Sequence, residues 1–433
     1  VEKSPAYNVG EMLDTIPGVR IISSGTVGSA QGVSIRSLNG GPGSNKTLVL
    51  LDGRPVNDAW SGEVNWHSIP FELVDRVEVV RGPGSALYGS QASAGVISVF
   101  TKKPQKGFHG WFSLGHEMNA SDDITDSSAD GYGRAEIGAT RFGLNGSYGT
   151  GTASHFLSLG YRDAQQSFPT PNENKWENYD VFYKGNFEVS RTLSTQVSLD
   201  VHNNSSDNQA ERTPTEDTND QIAADVSARW LTGPGVLNGR AYVNRNNGES
   251  KVYGSNSVTG ETTTRTGIIA DYSLPLSAES MVIAGIDGYV DIADVDYDQT
   301  VVNMTYLGVG TINTVNAQSG AATSFEADTF QGVYGSDSQS YDETNVALFA
   351  QYSRTFMKKF NVVAGGRFDM HSEFGSIFNP KAGLTYTLFT HDGLVTTVKA
   401  NYGTAFRAPP MWGTFSQSLG GYGDPDLKPE KTK

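Results

Sequence analysis

The stretch Val74–Ser90 reads VDRVEVVRGPGSALYGS and joins a segment of alternating apolar and charged residues to a glycine-rich loop. Within the loop, Arg81–Ser85 (RGPGS) holds a cationic side chain at a fixed place, and Pro83 restricts the backbone φ there. Tyr88–Ser90 places small residues where the chain packs closely. Taken alone, the charges in this stretch are most simply interpreted as the solvated edge of a strand.

Further motifs lie on both sides of this stretch in the sequence. Thr15–Val19 predicts the end of a short helix, which Pro17 and Gly18 would terminate. The four apolar residues before Asp52 predict a buried strand that leaves through a turn, with Gly53 supplying a positive φ. In chain order the motifs are TIPGV (Thr15–Val19), VSIR (Val33–Arg36), TLVLLDGRP (Thr47–Pro55), VDRVEVVRGPGSALYGS (Val74–Ser90) and AGVISVFTKK (Ala94–Lys103).

This ordered set closely resembles the plug domain of TonB-dependent outer-membrane receptors over about residues 5–104. Phe406–Pro410 (FRAPP) and Asp424–Glu430 (DPDLKPE) resemble two barrel segments of the same family. One departure is Ser37, where the family usually has glycine. The resemblance implies a small α+β plug domain, residues 1–104, in the lumen of a transmembrane antiparallel β-barrel, residues 105–433. Relatives continue with further strands, so we expect a barrel that is incomplete at its C-terminus.

Alternating polarity after Lys106 supports a mostly β fold independently of the resemblance. In Gly365–His371, Phe368 and Met370 alternate with Arg367, Asp369 and His371, and Gln196–Asn203 shows the same period of two. A soluble sandwich and a transmembrane barrel both produce this pattern. Segments of about 10–15 residues favour the barrel, because strands of soluble sheets are shorter.

The connections between these segments also differ in length, as in outer-membrane barrels. We predict about 13 strands between Gly107 and Phe406, whereas the resemblance implies about 22 in the whole barrel. Short turns are predicted at Ser190–Thr192, Gly233–Gly235, Met357–Lys359 and His391–Gly393. Long loops are predicted at Asn119–Asp130, Asn203–Asn219, Asn246–Gly260 and Val295–Glu343.

Composition excludes several classes of function. The 433 residues contain no cysteine, which excludes disulfides, zinc–thiolate sites and thiol catalysis. A net charge of −15 argues against a nucleic-acid partner. The seven histidines are scattered, with no HExxH, GxSxG or P-loop motif, so we expect no enzyme.

Arg36, Arg76, Glu78 and Arg81 are the candidate residues for a lock between plug and barrel. The resemblance implies that Arg36 and Arg81 pair with glutamates of the barrel wall, in strands that we expect beyond Lys433. Buried charges need partners, and solvent is scarce against a barrel wall.

The segment Arg54–Ser68 (RPVNDAWSGEVNWHS) carries the candidate ligand-binding residues Asp58, Trp60, Trp66 and His67. Aromatic rings beside a few polar groups suit planar or catecholate iron chelates, haem or a corrin. The alternative, that Trp60 and Trp66 pack the plug against the barrel interior, remains open.

Asp294, Asp296 and Asp298 alternate along the chain, and Asp122, Asp123 and Asp126 form a second acidic cluster. Carboxylates are ligands that Ca²⁺ prefers, although such clusters are more often solvated loop tips. We expect no resident cofactor. These acidic residues leave open whether calcium binds in the extracellular loops.

The resemblance implies active import across the bacterial outer membrane, with a ferric siderophore or related iron chelate as the expected ligand. Cobalamin is the alternative, and haem is disfavoured because Met411–Gly423 contains no histidine. A passive porin or adhesin is the other class of function. The implied partners are the TonB–ExbB–ExbD energy-coupling complex, bound through a segment upstream of Val1, and outer-membrane lipid and lipopolysaccharide.

Overall fold

The computed structural model describes residues 9–22, 32–36, 46–69, 71–119, 136–167, 173–209, 215–252, 257–300, 312–315, 322–325, 334–357, 359–391, 394–415, 417–418 and 421–432. They form two parts. We call the elements of residues 9–101 the plug, and the large sheet of residues 107–403 the wall. The predicted boundary at 104/105 falls in the segment between them and stays a prediction.

The plug contains a two-stranded antiparallel hairpin, a four-stranded mixed sheet and short helices. The middle strands of the four-stranded sheet run parallel and are covered on both faces, which explains five successive buried residues in Thr47–Leu51. The predicted turn at Asp52 and Gly53 is confirmed, with positive φ at both residues. The elements are α1 (Val9–Asp14), β1 (Val19–Ile22), β2 (Gly32–Ile35), β3 (Thr47–Leu51), β4 (Arg54–Pro55), 3-10 helices at Trp66–Ser68 and Phe71–Leu73, β5 (Val74–Arg81), α2 (Ser85–Tyr88) and β6 (Gly95–Thr101), with the larger sheet ordered β4-β3-β6-β5.

The wall is one antiparallel sheet of 13 strands in which neighbours in sequence are neighbours in space. This confirms the predicted strand number. Its strands are β7 (Gly107–Asn119), β8 (Glu136–Gly149), β9 (Ala153–Ser167), β10 (Glu173–Glu188), β11 (Leu193–Asn208), β12 (Thr215–Thr232), β13 (Gly235–Val252), β14 (Ser257–Ser277), β15 (Ser280–Thr300), β18 (Tyr334–Phe356), β19 (Phe360–His371), β20 (Gly375–His391) and β21 (Leu394–Gly403), with the hairpin β16 (Ile312–Val315) and β17 (Ala322–Phe325) between β15 and β18. After the wall come β22 (Ala405–Arg407), α3 (Met411–Phe415), β23 (Gln417–Ser418), β24 (Gly421–Tyr422) and β25 (Glu430–Thr432).

The two faces of the wall have opposite polarity. On β19, Phe368 and Met370 are 40% and 41% exposed, whereas Arg367 and Asp369 are 1% and 0% exposed. The apolar residues therefore form the outer face and the charged residues face the plug, as the alternation predicts for a barrel in lipid. Among the described residues, no helix is both long and apolar enough to cross a membrane.

Short turns connect the wall strands at one end, and most connections at the other end are longer. The predicted turns at Ser190–Thr192, Gly233–Gly235 and Met357–Lys359 lie between strands, as expected. Three of the predicted loops are too long, however, and the fourth, Asn119–Asp130, lies outside the described residues except for Asn119, the last residue of β7. Asn203–Asn208, for example, pairs with Thr215–Asp220 and continues the sheet. These extensions are polar on both faces, and this removes the alternation by which a strand is recognised.

Candidate functional site

The interface between plug and wall is organised around Arg54, which is 1% exposed at the start of β4. Its Nη2 lies 3.2 Å from Oδ2 of Asp200, and its Nε lies 3.9 Å from Oδ2 of Asp225. Nη1 donates a hydrogen bond to Oδ1 of Asn244, whose Nδ2 in turn donates to the carbonyl of Pro55 at 2.8 Å. Three neighbouring wall strands, β11, β12 and β13, thus hold one plug hairpin.

Asp52, in the turn before Arg54, forms a second set of contacts. Its carboxylate accepts hydrogen bonds from the backbone N–H and the hydroxyl of Thr101 at 2.9 and 2.6 Å, which ties the turn to β6. Lys184 of β10 donates to Oδ2 of Asp52 at 2.8 Å and to the Thr101 hydroxyl at 2.7 Å. Arg240 of β13 donates to the carbonyl of Asp52 at 2.6 Å and also pairs with Asp225. Two wall cations therefore clamp this turn.

His67 marks a third contact, at the 3-10 helix Trp66–Ser68. Arg162 of β9 donates to the carbonyl of His67 at 2.9 Å and to Asp180 at 2.7 Å. The His67 ring packs on Trp176 with 4.5 Å between the ring centroids. Burial, together with the nearby Arg162 guanidinium, lowers the pKa of His67 to about 3. His67 is therefore neutral at neutral pH and offers no charge to a ligand.

The other side of the plug meets the wall and the segment 405–410 through helix α2. Ser85 exchanges hydrogen bonds with the backbone of Phe406, and the N–H of Ala408 donates to the Ser90 hydroxyl at 3.1 Å. Arg367 of β19 donates to the carbonyl of Leu87 at 3.5 Å. These contacts are hydrogen bonds, mostly to the backbone, so water can replace them.

A polar cavity of about 460 Å³ opens between the plug and the end of the wall that carries the longer connections. We call it the outer cavity. The plug contributes Val56, Asp58, Ser61, Glu63 and Asn65, and strands β11–β14 contribute the remaining residues. A second cavity of about 440 Å³, the inner cavity, lies between the plug sheet and the wall strands β13, β14, β15, β18 and β19, with Leu50, Phe100 and Tyr289 in its lining.

Known proteins share this arrangement. Residues 1–96 match the model of the TonB-dependent receptor plug domain, and residues 109–433 match that of the TonB-dependent receptor-like β-barrel. The chain belongs to the TonB-dependent receptor family. Members of this family are transport receptors of the outer membrane, and this receptor is an outer-membrane protein.

The receptor is 26% identical over 448 residues to the iron-regulated outer membrane virulence protein of Vibrio cholerae, with 98% of this chain and 59% of that protein covered. It is 26% identical over 489 residues to the ferrienterobactin receptor of Escherichia coli, with 99% and 63% covered. It is 34% identical to the vitamin B12 transporter BtuB of Vibrio vulnificus, over 137 residues that are 32% of this chain and 22% of that protein. The chain thus spans about three fifths of its iron-related relatives.

Among solved structures, the siderophore receptor PirA from Acinetobacter baumannii resembles the receptor with a TM-score of 0.71 at 16% identity. The likeness covers 99% of this chain and 65% of that one. At this identity the comparison establishes the fold.

The four predicted lock residues do not contribute to the contacts described above. Arg36 and Arg81 are exposed, and neither side chain forms an ion pair within the described part of the receptor. Arg76 pairs with Glu78 at 2.8 Å along β5, an edge strand of the plug sheet, and its guanidinium lies 3.9 Å from the centre of the Phe100 ring. Their role as a lock stays a prediction.

The four predicted ligand residues occupy different environments. Asp58 lines the outer cavity, where its Oδ2 accepts hydrogen bonds from Asn246 at 2.7 Å and Thr263 at 2.9 Å. Trp60 is buried in a cluster with Met411, and Trp66, 1% exposed, belongs to the plug core together with wall residues. Both tryptophans therefore pack within the protein, as the alternative interpretation proposes. Contact of Trp60, Trp66 or His67 with a ligand stays a prediction.

The predicted calcium residues do not converge. Asp294 and Asp296 are exposed on the outer face of β15, and the side chain of Asp298 lies outside the described residues. Residues on one face of a strand stand about 7 Å apart, too far for neighbours to share an ion easily. In the described ranges, no three His, Cys, Asp or Glu residues are placed to hold a metal. The cluster at Asp122, Asp123 and Asp126 is likewise outside these ranges, so calcium binding stays a prediction.

Sequence reasoning missed the residues that join plug and wall. Arg162, Lys184, Arg240 and Arg367 each occupy an inward position of a wall strand, where alternation predicts a polar residue. A cation at such a position indicates a buried charge that needs a partner, and the sequence contains this signal. Its partner could not be found, because it lies in the plug, 95 to 280 residues earlier in the sequence.

Proposed function

We propose that this receptor imports a scarce ligand across the outer membrane, with energy from TonB moving the plug within the wall. The observation that carries the proposal is the polar character of the contacts at Asp52, Arg54 and His67. When such partners separate into water, each charge regains its hydration, so separation costs far less than removing one partner. A plug held in this way can be displaced and can return.

The partner that supplies the energy for this movement is the TonB–ExbB–ExbD complex. A passive pore is the rival function. A passive pore does not need a folded plug that several wall strands hold in place. The contacts at Arg54 and Asp52 therefore favour the gated importer.

For the ligand we propose a ferric siderophore or a related iron chelate. The relatives that align with nearly the whole chain carry iron-related names, whereas the match to the vitamin B12 transporter covers 32% of the chain. Cobalamin is the second candidate on the strength of that match, which is 34% identical over 137 residues. The outer cavity is large enough to enclose part of such a ligand.

Binding titrations with the natural full-length receptor test this proposal. The panel comprises ferric catecholate and ferric hydroxamate chelates, the iron-free chelators and cyanocobalamin. We expect saturable binding of at least one ferric chelate, with weaker binding of its iron-free form. Binding of cyanocobalamin alone would select the second candidate, and affinity for no member of the panel would contradict both.

A further inference from the structure

The outer cavity carries negative charge from both of its walls. Asp58 and Glu63 come from the plug, and Asp217 comes from an inward position of β12 in the wall. Among its described lining residues there is no lysine or arginine. The basic residues at this height of β13, Arg245 and Lys251, occupy the outward-facing positions of that strand instead.

The carboxylates of Asp58 and Asp217 are bound by neutral groups. Asp58 accepts hydrogen bonds from Ser61, Asn246 and Thr263, all of which are neutral donors. Asp217 accepts from Asn208 at 3.0 Å and from other neutral donors. In the described part of the receptor, neither of these two aspartates forms an ion pair with lysine or arginine. Their charges therefore remain available to a ligand.

A second observation points in the same direction. Asn204 of β11 lines the outer cavity and is 8% exposed, and its amide oxygen has no hydrogen-bond partner. The amide oxygen of Asn208, 5% exposed in the same lining, also lacks one. Buried acceptors without partners are costly, and a ligand that brings donors would satisfy them. The outer cavity thus has fewer hydrogen-bond donors than its acceptors need, and its described lining contains no lysine or arginine.

The amino-acid sequence extends this imbalance to the segments that connect the strands at the same end of the wall. Residues 120–135, 210–214 and 301–333 together contain seven Asp or Glu residues and two Lys or Arg residues. The composition of these segments thus has the same acidic character as the lining of the outer cavity.

We propose that the outer cavity selects a cationic ferric chelate rich in hydrogen-bond donors, of the tris-hydroxamate type with a free ammonium group, over a trianionic tris-catecholate. The inference rests on the proposed uptake function, and it assigns the charge class of the ligand. Its ammonium group would lie near Asp58 and Asp217, and its N–H donors would reach Asn204 and Asn208.

The test compares two probes on the natural full-length receptor: ferric desferrioxamine B, a cationic tris-hydroxamate, and ferric enterobactin, a trianionic tris-catecholate. We expect the cationic probe to bind at least about tenfold more tightly, with a preference that shrinks as salt is added. Equal affinity, or tighter binding of the trianion, would overturn the inference while leaving the uptake function intact. If no chelate of any charge binds, the proposed function itself has failed.

Charge-neutralising variants locate the effect in the cavity. D217N should weaken binding of the cationic probe about tenfold, which corresponds to about 1.4 kcal/mol, and should strengthen binding of the trianion. The matched control is D220N, since Asp220 lies on the exposed outward face of the same strand as Asp217. D217E, which keeps the charge, should retain affinity for the cation. Unchanged affinities in correctly folded D217N would contradict the assignment.

Discussion

Replacing Arg54 by alanine will loosen the plug from the wall and turn a closed receptor into one that conducts ions. The change leaves Asp200, 3% exposed, and the equally buried side chain of Asp225 without the guanidinium between them. Breaking a buried ion pair by removing one partner costs about 3–5 kcal/mol. Arg240 still faces Asp225, so Asp200 bears most of the loss. Planar-bilayer recordings of the natural full-length receptor would measure the current.

Two further variants make this prediction specific. R76A removes an arginine of the same plug that is half exposed and paired with Glu78, and we expect no measurable current from it. R54A/D200N removes the unpaired charge as well and should recover part of the closed state. If R54A stays as closed as the unaltered receptor, in recordings and in protection of the plug from protease, Arg54 is not the anchor described here.

Replacing Gly95 by alanine will disrupt the plug itself. Gly95 begins β6, and a Cβ atom there would overlap the carbonyl oxygen of Val80 in β5 and lie 2.9 Å from a methyl group of Ile35. The backbone oxygen cannot rotate away as a side chain could, so β5 and β6 must separate at this end. Overpacking of this kind costs about 1–3 kcal/mol. We expect a lower thermal midpoint for the plug and earlier cleavage by protease.

G82A is the matched control for this variant. Gly82 also has a positive φ, +100°, but nothing lies within 4 Å of a Cβ atom placed there. The control therefore carries the backbone strain without the steric overlap, and it should be markedly milder than G95A. Equal destabilisation by the two variants would show that backbone conformation, and not the close approach of β5, is what requires glycine at this position.

The sequence was sufficient to predict the strands whose two faces meet different environments. Along β19, one face meets the outside and the other the plug, so Phe368 and Arg367 alternate and the strand could be predicted. The extensions of β11 and β12 carry polar residues on both faces, and Asn203–Asn208 was therefore mistaken for part of a loop. Strand propensity and the period of apolar residues reflect the two environments that a strand faces. They do not identify a strand whose two faces carry similar residues.

The interface was less accessible to prediction than the fold. The aspartate and arginine of the LLDGRP motif were recognised as part of a turn, but nothing in the sequence pairs Asp52 with Lys184 or Arg54 with Asp200. Those pairs depend on how the strands of the wall are staggered around the plug, a property of the whole sheet. The predicted lock at Arg36 and Arg81 came from the family resemblance, and it stays a prediction.

The central claim is that the plug must change its contacts with the wall for a ligand to pass, and a reversible tether tests it most directly. S90C and A408C introduce two small thiols where the backbone of Ala408 already meets the Ser90 side chain at 3.1 Å, in a chain that has no other cysteine. Uptake of radioactive iron would be measured in cells with and without TonB, using the chelate found by titration. We predict that the oxidised double variant loses TonB-dependent uptake and regains it on reduction, while each single variant transports normally. Full uptake through the oxidised tether would contradict the account.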